Sequence, residues 1–64
     1  MSEDIQYRGY QLSIMHSAPR WYAGIHPMLS HQVKPNRREE MASGATRDEA
    51  IAEAERTVDR LMTL

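Results

Sequence analysis

Three histidines, His16, His26 and His31, are the residues of this chain best suited to holding a metal ion. Zinc needs three or four convergent ligands, and there is no cysteine to complete a set. The same absence removes disulfides and thiolate sites. No Asp or Glu stands close to His26 or His31 in sequence. A second group is basic. Lys34-Pro35-Asn36-Arg37-Arg38 offers three cations that could meet phosphates. Glu39 and Glu40 follow at once and offset much of that field, so a solvated loop is the expectation. A third group is aromatic. Tyr7, Tyr10, Trp21 and Tyr22 fall within one short stretch, and aromatics on a sheet can stack bases. Catalysis finds no constellation: the serines sit in no nucleophile elbow or SxxK pattern, and no glycine-rich loop could cradle a phosphate. The expectation is therefore no enzyme, no cofactor and no metal.

Whether these side chains meet depends on the elements beneath them. Tyr7 to His16 (YRGYQLSIMH) alternates, with Tyr10, Leu12 and Ile14 on one face and Gln11, Ser13 and Met15 on the other. A period of two predicts a half-buried strand. Ser17-Ala18-Pro19-Arg20 follows, with Pro19 suited to preset φ at the second position of a turn. Trp21 to His26 (WYAGIH) then alternates again. A four-residue connection fixes the register: His16 opposite Trp21, Ile14 opposite Ala23, Leu12 opposite Ile25, Tyr10 opposite Pro27. Every apolar residue of the first strand then meets an apolar partner on the same face. In this register His16 and His26 lie on opposite faces, about 17 Å apart at 3.4 Å per residue, and cannot share one ion. Tyr7, Met15 and Tyr22 are expected on the outer face, as a candidate partner surface. Protein contact is favoured there over base stacking.

Residues 1–6 are polar and are expected to fray. Residues 28–45 are expected to form a loop with a third strand within it, from either Met28–Lys34 or Arg38–Ser43, separated by the turn signal Pro35-Asn36. From there the chain reads as a helix over 46–63. Thr46 is the N-cap and Glu49 completes a capping box. Asp48 and Glu49 favour the first turn, and Arg56 and Arg60 come late, where cations are favoured. Ile51, Ala54, Val58 and Leu61 make a narrow apolar stripe, with Ala50 and Met62 flanking and a polar opposite face.

With 64 residues, 41% hydrophobic and 27% charged, the chain has the composition of one small globular domain. A core of this size is marginal alone, which points toward self-association. A formal net charge of −1 gives no global pull toward nucleic acid or an anionic membrane. No apolar run approaches the length of a membrane span. The acidic start MSEDIQYRG is unlike a secretory signal, so a cytoplasmic bacterial-style protein is expected.

Gly44-Ala45-Thr46-Arg47-Asp48-Glu49-Ala50 resembles the G-x-T-x-x-E-A entry to the helix of HicB-like antitoxin domains, which also begin with two strands and a strand-end proline. The loop Met28 to Ser43 is longer than that family's, and the DNA-binding element many such antitoxins carry is missing. That resemblance therefore implies toxin binding alone. The chain is also similar, more closely, to small bacterial β-β-β-α proteins that start YRGY, carry a tryptophan on the second strand and end in a helix with Ile/Val-Asp. Here those residues are Tyr7-Arg8-Gly9-Tyr10, Trp21 and Val58-Asp59. This second similarity implies a fold without an activity.

The expectation is an α+β domain, an antiparallel three-stranded sheet with one C-terminal helix packed on one face. Two functions stand beside each other. One is a non-catalytic interaction module, a homodimer or a binder of a protein partner, using Tyr7, Met15 and Tyr22. The other is a nucleic-acid binder using the sheet or Lys34, Arg37 and Arg38.

Overall fold

A computed structural model describes residues 3–63. Four strands, β1 (Glu3–Tyr7), β2 (Tyr10–Ser17), β3 (Arg20–Pro27) and β4 (Met41–Gly44), form an antiparallel sheet in the order β1-β2-β3-β4, followed by helix α1 (Arg47–Met62). The class is α+β as expected, with four strands rather than three.

The expected hairpin forms in the expected register, from Tyr10 opposite Pro27 to His16 opposite Trp21, and extends one pair further to Ser17 opposite Arg20. The connection is thus two residues long. Pro19 occupies the third position of the turn, not the second, after a cis peptide bond from Ala18, the isomer that position accommodates.

The added strand lies where fraying was expected. Glu3–Tyr7 pairs with β2, Tyr7 opposite Tyr10 and Ile5 opposite Leu12; residues 1–2 lie outside the described residues. The reversal occurs at Arg8 (φ 51°) and Gly9 (φ 85°). Positive φ at both central residues is the signature of a type I′ hairpin turn, whose twist matches that of its strands. Glycine is at home there, but an arginine in the left-handed region is uncommon. The alternation counted from Tyr7 to His16 therefore runs through a turn.

The remaining strand falls inside the predicted 28–45 segment, at Met41–Gly44, and pairs with β3. The alternative, Met28–Lys34, is irregular. That segment is tied down at several points. Met28 N–H donates to the Gly9 carbonyl (3.0 Å), and Ile25 N–H to the Glu40 carbonyl (2.8 Å). The Asn36 side-chain oxygen accepts from the N–H groups of Arg38 (3.0 Å) and Glu39 (3.1 Å), the local turn for which asparagine is selected. Arg60 forms an ion pair with Glu39 from the last turn of α1.

One face of the sheet carries the core. Tyr10, Leu12, Ile14, Ala23 and Ile25 pack against Ala50, Ala54, Val58 and Leu61, with Ile5, Tyr7, Trp21, Ala42 and Ile51 at its margin. The helix stripe therefore starts at Ala50 rather than Ile51, which lies at its margin, and Met62 is exposed. Three alanine or valine contacts in succession let the helix sit close to the sheet. Tyr10 is buried to its hydroxyl, which donates to the Val33 carbonyl at 2.5 Å. This supplies the partner a buried phenol needs.

Helix entry follows the predicted chemistry with one change. Thr46 Oγ1 accepts from Glu49 N–H (3.1 Å). The Glu49 carboxylate reaches back to Ala45 N–H (2.9 Å), one residue before the cap. Gly44 lies under this first turn: a Cβ there would sit 2.6 Å from Glu49 Cβ and 2.7 Å from the Ala50 nitrogen. Gly44, Thr46, Glu49 and Ala50 thus each have a physical reason, respectively close approach, cap, return bond and burial.

Candidate functional site

The three candidate histidines do not converge. His16 stacks on Trp21, one pair from the end of the β2–β3 ladder, ring centroids 4.3 Å apart and planes 12° apart. His26 stands opposite Gln11 on the outer face, and His31 lies in the loop. Among the described residues no three His, Cys, Asp or Glu side chains come together to hold a metal ion. No helix among them is long and apolar enough to cross a membrane.

Of the predicted partner surface, Met15 and Tyr22 are direct cross-strand partners on the face away from the helix. Met15 is 37% exposed. Sequence reasoning missed a third member, Met41, which is 48% exposed. It pairs with Gly24 while Tyr22 pairs with Ser43, so Met41 is the diagonal neighbour of Tyr22, a spacing long side chains bridge. The signal was present only as one more methionine; the β4 register had to be known to place it. Around this apolar run the outer face is polar, with Asp4, Gln6, Gln11, Ser13 and Ser43 on the same side by register.

Tyr7 does not belong to that surface. Because the chain reverses at Arg8-Gly9, Tyr7 shares the face of Tyr10 and packs at the edge of the core. Its hydroxyl donates to Asp59 Oδ1 (2.9 Å), and the Arg8 guanidinium donates to the same oxygen (2.7 Å). These two donors hold the Asp59 carboxyl below its ordinary pKa, Arg8 contributing most. The Tyr7 phenol is pushed up, chiefly by its hydrogen bond to that carboxylate. The YR of Tyr7-Arg8-Gly9-Tyr10 and the Asp of Val58-Asp59, noted separately in sequence, thus form one structural tie between the β1–β2 turn and the helix.

The loop cations Lys34, Arg37 and Arg38 are exposed. The acidic residue expected to offset them is partly diverted, since Glu39 pairs with Arg60. Lys34 and Glu40 line, with Ile25, His26, Pro27 and Pro35, an open cleft of about 270 Å³. A second open cleft of about 240 Å³ lies between the loop and the end of α1, lined by Tyr10, His31, Gln32, Val33, Leu61 and Met62. Both are shallow and mix apolar with polar walls.

The fold and these surfaces define a class: a small α+β domain in which one helix covers one face of a four-stranded sheet and, among the described residues, no helix covers the other. Comparison with protein-family models, with curated proteins and with solved structures finds no match.

Proposed function

We propose that the chain is a non-catalytic interaction module whose working surface is the open sheet face around Met15, Tyr22 and Met41. The observation that carries this reading is the contiguous run of exposed Met15 and Met41 with half-buried Tyr22 between them, on the sheet face away from the helix. Methionine adapts its shape to varied partners, and tyrosine is enriched where one side of a contact is apolar and the other wet. The HicB-like resemblance suggests a partner class, a small basic toxin-like protein encoded nearby; the core's size suggests self-association. The test is a double variant, Met15→Lys with Tyr22→Lys. Association with itself or with the product of the neighbouring gene should weaken at least tenfold by sedimentation, while circular dichroism stays unchanged. Undiminished association would remove the face from consideration.

A second reading has its own observation. With Glu39 engaged by Arg60, Lys34, Arg37 and Arg38 take part in no ion pair among the described residues, leaving them available for phosphates. Binding of single-stranded RNA or DNA that falls steeply with salt and is lost in Arg37→Ala with Arg38→Ala would support it.

A further inference from the structure

The two edges of the sheet differ in a way that bears on self-association. β1 (EDIQY) carries the exposed carboxylates Glu3 and Asp4, and Glu3 is bound by Arg47 from the helix, 2.5 Å away. Charge on an edge strand discourages further pairing. β4 (MASG) has no charge and no proline. Ile25 N–H bonds to the Glu40 carbonyl, and bonding alternates along an antiparallel ladder. Ala42 and Gly44 therefore face β3, while Met41 and Ser43 turn their N–H and C=O groups outward. An uncharged edge with free backbone groups is a template for another strand.

We infer that two copies of this chain pair through β4, antiparallel about a two-fold axis at Ala42, into one continuous eight-stranded sheet. This rests on the reading of the chain as an interaction module and names its partner as a second copy. In this register Met41 of one copy faces Ser43 of the other and the two Ala42 residues face each other. The apolar run Met15–Tyr22–Met41 then meets its symmetry mate across the seam. The helices agree with the arrangement. Glu49, Glu53, Thr57 and Arg60 recur at steps of four, four and three and share one flank. Glu49 bonds to Ala45, just after β4, and Arg60 pairs with Glu39, two residues before it, so this flank lies toward the β4 edge. It runs from acidic to basic along the helix. A two-fold neighbour sets Glu49 and Glu53 of one helix beside the Arg60–Glu39 pair of the other, where Arg60 can be shared between its own Glu39 and the facing carboxylates.

The chain contains no cysteine, so single substitutions give clean cross-links. The Ala42 pair would be a non-hydrogen-bonded antiparallel pair, with Cα atoms about 4.5 Å apart, within disulfide range. Under mild oxidation Ala42→Cys should convert to a disulfide-linked dimer in at least fivefold excess over Gln6→Cys on the opposite edge. In the unmodified protein, amide exchange at Met41 and Ser43 should slow at least tenfold between micromolar and millimolar concentration. Equal cross-linking at both edges, or no slowing at those two amides, overturns the inference. Self-association that persists with protection confined to the Met15–Tyr22 strands also overturns it, while leaving the interaction-module reading in place. A monomer at millimolar concentration that still captures the neighbouring gene's product does the same.

Discussion

Asp59 is where one side chain links the two ends of the fold. Its Oδ1 takes hydrogen bonds from Tyr7 and Arg8 together. The arginine's left-handed backbone, uncommon for a side chain with a Cβ, is held in a turn whose guanidinium has a fixed partner. The pH dependence follows from the directions of the shifts. Asp59 has a folded pKa below its unfolded value of about 3.9. Its contribution is full above that value and is lost as pH falls through the folded one. Tyr7 is shifted up, so its contribution is present below the ordinary phenol value of about 10 and fades as pH rises through the folded one. Thermal melting of Asp59→Asn should therefore show less loss between pH 4 and pH 2 than the parent, with the parent the more stable at pH 7. Tyr7→Phe should flatten the alkaline limb instead. Curves parallel to the parent's at both extremes would show that this tie does not couple to folding.

At the scale of elements, the helix start is the most exacting joint. Gly44→Ala would push a methyl against Glu49 Cβ and the Ala50 backbone, and backbone cannot swing aside as a flexible side chain does. Overpacking of this kind costs about 1–3 kcal/mol, whereas Thr46→Ala removes one cap bond, typically about 1 kcal/mol. Urea unfolding should rank Gly44→Ala as the more damaging of the two. Elements with a periodic signal were legible in sequence: β2, β3, their register and α1 all follow from spacing two or spacing three to four. The capping motif, too, declared its own position. What stayed hidden depended on partners elsewhere in the chain. β1 alternates weakly, and its turn uses Arg-Gly rather than the asparagine or aspartate that usually marks a type I′ hairpin. Missing that turn placed Tyr7 on the wrong face. β4 holds four residues of modest strand propensity, and only its pairing with β3 makes it a strand. The Met41 contribution to the outer face was hidden for the same reason.

For the whole molecule, if copies pair through β4 as proposed, the consequence of the carboxylates on β1 is a limit on assembly size. A sheet with one open edge can join a second copy through a two-fold contact that consumes both edges, and the assembly closes. A sheet with two open edges has no such end point: each added copy exposes another acceptor, and growth becomes linear. In the β4-paired dimer proposed above, Glu3 and Asp4 would act on number rather than on affinity, setting how many chains the complex contains. Replacing them together, Glu3→Thr with Asp4→Thr, should turn a species of defined mass into a concentration-dependent series of larger ones by light scattering, with secondary structure retained. A distribution unchanged from the parent would mean that the β1 edge is closed by something other than its charge.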